Sequence, residues 1–266
     1  MKKIAVIGCG ALGQTFIRGL VQKLPNLYEI TGIFAFERDQ VKQMAEEIGC
    51  QACQNFEELM ATQPDYLVEI AGIPAVKEYG EAALRRRCHL VVVSIGALAD
   101  SALKNRLEKA ACEVGRKVYV VSGAVGGLDL MQAAACMGLD EVSIENVKAP
   151  ASLNGAPYLE GRLLSEEQEE IVFEGSVQQA ISGFPKNVNV AVTTSLASEY
   201  PCTKVIVKSV PGLKENQHII TLKNKSLNAR LTICSTPDPA NPKSSVSAAW
   251  SVVALMKNLA SPICFY

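Results

Sequence analysis

The chain opens with an apolar run that leads directly into a glycine-rich turn. The run occupies residues 4–7, Gly8, Gly10 and Gly13 follow it, and a helix-like stretch comes next at residues 14–20. In such a unit the first glycine permits a tight turn, the second lets a pyrophosphate approach the backbone, and the third lets the helix pack on the strand. The alternative is that the glycines serve only to connect the strand to the helix in a tight turn. The spacing predicts a dinucleotide-binding fold at the start of the chain.

An acidic residue stands at the distance from these glycines that ribose recognition requires. Residues 29–36 have the composition of a second strand, and Glu37 follows them directly. Its carboxylate can accept hydrogen bonds from both ribose hydroxyls of an adenosine, and it would repel a 2'-phosphate. Arg38 comes next, and a guanidinium at that place can pair with such a phosphate. We therefore predict NAD as the preferred cofactor, with NADP tolerated.

Strand-like and helical segments alternate through the first half of the chain. Apolar strand-like runs at residues 66–70, 89–94 and 117–121 are separated by helical patterns at residues 75–87 and 102–115. Near-continuous apolar strands are typical of a parallel sheet with helices on both faces. This order predicts a Rossmann-type, doubly wound α/β fold.

Small residues follow two of these strands, at the edge where doubly wound sheets bind ligands. They are Ala71 and Gly72 after one strand and residues 94–97 after the next. We expect both loops to line the nicotinamide half of the site. The residues predicted to contact the cofactor in this part of the chain are Gly8, Gly10, Ala11, Leu12, Gly13, Glu37, Arg38, Ala71 and Gly72.

The alternation changes after residues 122–127, where a second domain begins. A helix through about Gly138 precedes strand-like runs, and an apolar helical pattern at residues 244–259 is expected to return to the first domain. The runs are at residues 140–148, 203–210, 217–223 and 229–234. The pattern predicts a dinucleotide-binding domain of residues 1–122 plus 239–266, and an α+β domain of residues 123–238 built on a mixed or antiparallel sheet. We assign catalysis, substrate binding and dimerisation to the second.

Composition narrows the class of protein. The chain has 266 residues, of which 48% are hydrophobic, and its formal net charge is -1. The chain has no excess of positive charge and no block of like charges, so its composition does not favour binding to nucleic acid or to a membrane surface. We therefore expect small-molecule partners. No apolar run approaches the roughly 18 residues of a membrane span, and the first strand begins too near Met1 for a signal peptide. These features predict a cytoplasmic protein.

The cysteine pattern favours neither disulfides nor a metal. Nine cysteines are scattered through the chain, and an odd number in such a protein argues against a disulfide framework. Cys50 and Cys53 form a C-x-x-C pair, but no second pair stands at zinc-site spacing, and the two histidines, His89 and His218, are distant in sequence. We predict that most of the cysteines are buried thiols and that there is no metal site.

Six sequence blocks, taken together and in order, carry a family resemblance. Three lie at residues 68–72, 91–100 and 122–129. Three later blocks read Phe-Glu-Gly-Ser at 173–176, Phe-Pro-Lys-Asn-Val-Asn-Val-Ala at 184–191 and Asn-Pro-Lys at 241–243. The later blocks are not shared by dehydrogenases at large. Over its whole length the chain resembles the L-aspartate dehydrogenase family.

This resemblance implies an activity and a set of site residues. The activity is oxidative deamination of L-aspartate to iminoaspartate with NAD(P), followed by hydrolysis to oxaloacetate and ammonia, together with the reverse reductive amination. The resemblance also implies a link to NAD biosynthesis and a homodimer. The family's catalytic histidine falls on His218, and its cofactor-binding alanine and asparagine fall on Ala124 and Asn189.

The expected chemistry suits a histidine. Once hydride has left the substrate, the imine must gain water, and a neutral imidazole can take a proton from that water and later return it. His218 is the better candidate, because His89 stands at the start of an apolar strand, away from the expected ligand edge. The alternative is that His218 is a hydrogen-bonded strand histidine without a catalytic role.

Aspartate also brings two carboxylates, which need cationic or amide donors. Lys243 is our first candidate, because it follows a proline-rich turn and precedes Ser244 and Ser245, which are placed to cap the last helix. A lysine facing solvent in a surface turn is the competing interpretation. Lys148 is a second candidate, although the family often has Lys-Pro-Pro where this chain has Lys-Ala-Pro. Ser244 and Asn187 complete the predicted substrate-binding set.

Two other functions stay open at this point. One is a related two-domain reductase, such as a homoserine dehydrogenase or a dihydrodipicolinate reductase, since both join a cofactor domain to a mixed sheet. The later sequence blocks argue against both. The other is a non-catalytic NAD-binding sensor, in which the histidine and lysine positions would be expected to have changed.

Overall fold

The structure is a computed structural model that describes residues 1–185, 188–238 and 241–265, with backbone alone for residues 237–238 and 241–244. The chain divides into two compact units, one made of Met1–Val121 and Ala248–Tyr266 and the other of Ser122–Ser247. The elements of the first 121 residues are β1 (Lys2–Ile7), α1 (Ala11–Lys23), β2 (Tyr28–Phe34), α2 (Arg38–Ile48), β3 (Gln51–Ala52), α3 (Phe56–Ala61), β4 (Tyr66–Glu69), α4 (Ile73–Arg85), β5 (His89–Val92), a 3-10 helix (Ile95–Ala99), α5 (Ser101–Val114) and β6 (Val118–Val120).

The later elements include five longer strands, a short hairpin and five helices among the described residues. They are α6 (Leu128–Met137), β7 (Glu141–Lys148), α7 (Pro150–Leu153), a 3-10 helix (Pro157–Leu159), β8 (Glu170–Ser176), α8 (Val177–Gly183), α9 (Asn189–Ala197), β9 (Lys204–Ser209), β10 (Asn216–Lys223), β11 (Asn228–Ser235), β12 (Pro237–Asp238), β13 (Asn241–Ser245) and α10 (Ser247–Ala260).

The first unit is a doubly wound sheet. Within residues 1–121, all of which are described, six strands pair in the order β3-β2-β1-β4-β5-β6, and every pairing is parallel. Its central strands are apolar on both faces, as the fully buried residues Ala5, Val6, Leu67 and Val91 illustrate. The Rossmann-type fold predicted from the sequence is confirmed. The strand order reverses between β1 and β4, and this switch point is where such sheets bind ligands.

The last helix starts later than its sequence pattern predicts. Helix α10 begins at Ser247, whereas Ser244 lies in β13, which pairs with β12 in a two-stranded hairpin. The amide of Ser247 donates to Oγ of Ser245 at 3.3 Å. The prediction that the helix starts at residue 244 is therefore wrong, because strand pairing holds the preceding residues in an extended conformation.

The second unit contains a sheet that is mixed. Among its described residues, five strands pair in the order β11-β10-β7-β9-β8, and β7 with β9 is the one parallel pair of this sheet. Strand β8 was not among the strands predicted from the sequence. The alternation of buried and exposed residues along β8 is interrupted. Its register against β9 shifts between Ile171 and Phe173, and both Val172 and Phe173 are buried. A bulge of this kind hides the period-two signal on which strand prediction depends.

One face of this sheet, here called the inner face, is buried. Residues of β10 alternate between buried and half-buried positions, so that every second side chain, including Ile220 and Leu222, belongs to the core. Ile220 pairs with Ile144 of β7, which is also fully buried. Toward the N-terminal end of β10 the inner-face residues are polar, and the candidate catalytic residue His218 lies there.

Candidate active site

Two of the three glycines after β1 are required by the local geometry. Gly8 has a φ of 110°, and a Cβ there would lie 2.6 Å from the carbonyl oxygen of Ile70. A Cβ on Gly13 would collide with the carbonyl oxygen of Gly8. Gly10 differs, because a Cβ there would meet no atom within 4 Å. Close packing of strand and helix therefore accounts for Gly8 and Gly13, whereas Gly10 leaves open space for a ligand.

A cavity lies beside this turn at the carboxyl edge of the sheet. Its volume is about 360 Å³. The predicted residues Gly8, Gly10, Glu37 and Ala71 line it, and Ala11, Leu12 and Gly13 form the first turn of α1 next to it. The other lining residues are Ile7, Cys9, Phe34, Ala35, Phe36, Gln40, Ile70, Pro74, Ala75, Glu78 and Tyr79. This largely apolar cleft, with a helix N-terminus beside it and Glu37 and Glu78 in its wall, fits an adenine dinucleotide.

Glu37 and Arg38 take different positions at this cavity. Glu37 is exposed, lines the cavity and precedes the first turn of α2. The guanidinium of Arg38 donates to the carbonyl oxygen of Cys53 at 3.2 Å and lies 5.5 Å from the ring centre of Phe34. The carboxylate is thus presented to the cavity, while the guanidinium is engaged by neighbouring groups of the protein.

Glu69 is a site residue that none of the sequence motifs identifies by itself. It ends β4 and is 1% exposed. Oε1 accepts hydrogen bonds from the amides of Ala71 at 2.9 Å and Gly72 at 2.8 Å and from Oγ of Ser94 at 2.8 Å, and Oε2 accepts from the amide of Ser94 at 3.1 Å. One carboxylate therefore holds the turns after two neighbouring strands.

Burial raises the pKa of Glu69, and its hydrogen bonds act in the opposite direction. A charged residue inside an otherwise apolar strand is the sequence signal that identifies such a group, because buried carboxylates occur only where donors satisfy them.

His218 and Asn146 form a second candidate site, which lies within the second unit. They are direct partners in the antiparallel ladder between β10 and β7, and each is almost fully buried on the inner face. Nδ1 of His218 lies 2.7 Å from Oδ1 of Asn146. With the amide oxygen accepting, Nδ1 carries the proton and Nε2 keeps a lone pair. Burial, as the larger cause, and the positive charge of Lys148 together lower the pKa of His218 to about 4.

Lys148 lies two residues after Asn146 on the same strand and is 4% exposed. Side chains of a strand alternate between faces, so Lys148 shares the inner face with Asn146 and His218. Burial lowers the pKa of Lys148 to about 8. Sequence reasoning placed this lysine second to Lys243, and the structure places it beside the histidine.

Comparisons with known proteins cover both parts of the chain. The family model described as "Aspartate dehydrogenase, C-terminal" matches residues 129–259, and the model described as "Homoserine dehydrogenase, NAD binding domain" matches residues 8–121. The L-aspartate dehydrogenase of Methanocaldococcus jannaschii is 36% identical over 264 residues, which cover 99% of this chain and 98% of that protein. The enzyme of Methanococcus maripaludis is 34% identical with the same coverage. The chain belongs to the L-aspartate dehydrogenase family.

Solved structures agree with membership in this family. The crystal structure of aspartate dehydrogenase from Thermotoga maritima has a TM-score of 0.75 and 26% identity, and the match covers 100% of both chains. A dihydrodipicolinate reductase from Paenisporosarcina has a TM-score of 0.54 and 14% identity, with 96% of this chain and 94% of that chain covered. The second similarity shows a shared fold alone. The resemblance inferred from the sequence blocks is confirmed.

The remaining residues predicted for this aspartate dehydrogenase family member lie mostly in the second unit. Ala124 is half-buried in the segment before α6, and Asn189 is exposed at the first position of α9. Lys243 and Ser244 lie in β13, and the structure describes their backbone alone. Asn187 lies outside the described residues. The roles predicted for these five residues stay predictions.

The prediction that most cysteines are buried thiols is wrong, because Cys9, Cys53 and Cys88 are buried, Cys50 is half-buried and the other five are exposed. Burial raises the pKa of Cys50 to about 12 and that of Cys53 to about 11, so the thiolate forms that bind metals are disfavoured at neutral pH. Within residues 1–185, 188–238 and 241–265 there is no group of three or more His, Cys, Asp or Glu residues arranged to hold a metal ion. In the same ranges no helix has the length and apolar character needed to cross a membrane.

Proposed function

We propose that this member of the family catalyses the NAD-dependent oxidative deamination of L-aspartate to iminoaspartate, which is hydrolysed to oxaloacetate and ammonia, and the reverse reaction. The observation that carries the proposal is the buried pair of His218 and Asn146, found in a unit that matches the aspartate dehydrogenase model. The reaction needs a base that stays neutral at ordinary pH, and a histidine whose pKa is about 4 meets that need.

The cofactor site fits the dinucleotide, because Gly10 leaves space at the N-terminus of α1 and Glu37 stands at the cavity wall. When bound, NAD would supply the hydride acceptor for the α-carbon of the substrate. Glu37 would bind the ribose hydroxyls, and Glu69 would hold the turn at Ala71 that lines the cavity. We propose NAD as the preferred cofactor, with NADP tolerated.

His218 acts on water in this mechanism. Its Nε2 lone pair takes a proton from the water that adds to the carbon of the protonated imine and later gives that proton to the departing nitrogen. Ammonia leaves as the hydroxyl proton of the adduct is released to solvent and the carbonyl of oxaloacetate forms. Asn146 keeps the imidazole in the tautomer that this step requires. The unprotonated form predominates above about pH 5, because the pKa of the buried imidazole is about 4.

Five further properties belong to the same proposal. Ala124 and Asn189 contribute to cofactor binding, and Lys243, Ser244 and Asn187 contribute to substrate binding. The protein works in the cytoplasm, and its imine product supplies NAD biosynthesis. It forms a homodimer through the outer face of the second sheet, where Ile206 and Ile219 are half-buried.

The test is NADH absorbance during incubation of the purified protein with L-aspartate and NAD, and in reverse with oxaloacetate, ammonium and NADH. We expect turnover with aspartate and none with homoserine or L-malate. Oxidation of homoserine instead would assign the chain to the activity named by the family model that matches residues 8–121. NADH binding without turnover of any of these substrates would instead favour a non-catalytic NAD-binding sensor.

A further inference from the structure

Four polar side chains form a continuous row across four adjacent strands of the second sheet. Asn216 of β10 pairs with Ser235 of β11, and Lys148 of β7 pairs with Ser209 of β9. The register of β10 against β7 brings Asn216 and Lys148 together one position beyond the last ladder pair. Residues that are direct partners share a face, so Ser235, Asn216, Lys148 and Ser209, here called the polar row, all belong to the inner face.

The polar row lies next to the candidate catalytic pair. Asn216 precedes His218 by two residues on β10, and Lys148 follows Asn146 by two residues on β7. Lys148 is thus a diagonal neighbour of His218, at a Cβ separation of about 7–8 Å in a regular sheet. The charge of Lys148 depresses the pKa of His218, which places the two groups in one electrostatic environment.

Two hydroxyls of the polar row are buried without a partner. Lys148 and Asn216 are each 4% exposed and Ser209 is 0% exposed. Oγ of Ser209 and Oγ of Ser235 are inaccessible and have no hydrogen-bond partner among the described residues. Buried hydroxyls are almost always hydrogen-bonded, so two such groups in one row indicate an absent ligand. Since the row also carries an ammonium group and an amide, the ligand is anionic and accepts hydrogen bonds.

We propose, on the basis of the proposed function, that the polar row binds one carboxylate of the substrate. Lys148 supplies the positive charge, and the hydroxyl of Ser209 and the amide of Asn216, on the two strands that flank β7, donate hydrogen bonds. In a site shielded from water a carboxylate needs such a set, because its desolvation is otherwise uncompensated. The arrangement holds the substrate beside His218 and makes Lys148 a determinant of substrate specificity.

The first test measures the kinetics of Lys148→Met and Ser209→Ala enzymes. We expect the KM for aspartate to rise at least about tenfold in Lys148→Met and roughly threefold in Ser209→Ala, with the KM for NAD unchanged. The melting temperature should stay the same or rise in both variants, because each loses a group whose burial opposes folding. A purely structural role predicts the reverse, a lower melting temperature with an unchanged KM for aspartate.

Matched controls come from the same strands. Lys208→Met removes a lysine from the outer face of β9, and Ser143→Ala removes a half-buried hydroxyl from the outer face of β7. Both should leave the KM for aspartate unchanged. Lys243→Met tests the competing lysine, and a rise in KM confined to that variant would overturn the proposal. Wild-type protein without aspartate turnover would mark a failure of the proposed function itself, seen before any variant is compared.

A second measurement identifies which carboxylate is bound. Oxaloacetate and pyruvate are compared as inhibitors of aspartate oxidation, because both carry the carboxylate next to the carbonyl and oxaloacetate alone carries the distal one. Weaker inhibition of Lys148→Met by oxaloacetate alone assigns the row to the distal carboxylate, and weaker inhibition by both assigns it to the carboxylate on the reacting carbon. Unchanged inhibition by both overturns the proposal.

Discussion

Nδ1 of His218 lies 2.7 Å from Oδ1 of Asn146, its direct partner on the neighbouring strand. The two residues are 72 positions apart in the chain, and both are almost fully buried. The contact decides which imidazole nitrogen carries the proton and leaves the other nitrogen free to act as a base.

Replacing His218 by Gln should lower kcat for aspartate oxidation by about 10²- to 10⁴-fold while leaving NADH affinity unchanged, because general base catalysis is lost and the cofactor site is intact. Steady-state kinetics and NADH fluorescence titration measure the two quantities. The matched control is His89→Gln, because His89 and His218 are the two histidines of the chain. His89 accepts from the amide of Lys117 at 3.1 Å and starts β5, so this variant should keep its turnover. Near-normal kcat in His218→Gln would remove histidine from the mechanism.

Asn146→Leu should lower kcat by roughly 10- to 100-fold, because the imidazole loses the acceptor that holds its tautomer and orientation. The KM for NAD should not change. Asn228→Leu, on the exposed edge of β11, is the control and should behave as wild type. Asn146→Leu enzyme with wild-type kcat would show that His218 is positioned by other contacts.

Stability should depend on pH through His218. Its pKa is about 4 in the folded protein and about 6.5 when unfolded, so the unfolded state binds the proton first as pH falls. The free energy of unfolding should therefore decrease by at most about 3 kcal/mol as the pH falls from about 6.5 to 4. The contribution of His218 to this decrease should be absent from the His218→Gln protein. Urea denaturation of both proteins across this range measures it.

The comparison of these two proteins isolates His218. The raised pKa of Glu69 acts in the opposite direction, adding stability at low pH, and it is present in both proteins. A difference in unfolding free energy between wild type and His218→Gln that stays constant across the range would mean that the histidine titrates normally in the folded state.

Glu37→Ser should shift cofactor preference toward NADP. Removing the carboxylate from the cavity wall removes the repulsion of a 2'-phosphate and the acceptor for the ribose hydroxyls of NAD. We expect the ratio of kcat/KM for NADP to that for NAD to rise at least about tenfold, equivalent to about 1.4 kcal/mol. Glu46→Ser, at an exposed position of the same helix, serves as the control. A wild-type enzyme that already prefers NADP would contradict the role assigned to Glu37.

Glu69→Gln should lower the free energy of unfolding by about 1–3 kcal/mol, because an amide cannot accept all four hydrogen bonds that the carboxylate receives. The KM for NAD should rise several-fold, since the turn at Ala71 lines the cofactor cavity. Glu57→Gln removes an exposed carboxylate that pairs with Arg86 and should change neither quantity. Loss of stability with an unchanged KM for NAD would limit Glu69 to a structural role.

Local sterics explain why the cofactor unit was predictable. The glycine turn is dictated by contacts within a few residues, such as the carbonyl of Gly8 against Gly13, and apolar runs between helical patterns identify buried parallel strands. Glu37 follows from the same spacing rule. The bulged strand β8 and the start of α10 were missed because in both places pairing with another segment overrides the local pattern.

The sequence by itself determined the cofactor class, the parallel sheet and the family, since each rests on short-range spacing or on contiguous blocks of residues. The tertiary structure alone decided which distant side chains meet. Strand register places Asn146 against His218 and aligns Lys148 with Ser209, and a shift of one residue would turn every one of these side chains to the other face. Register depends on packing across the whole sheet, and no local stretch of residues encodes it.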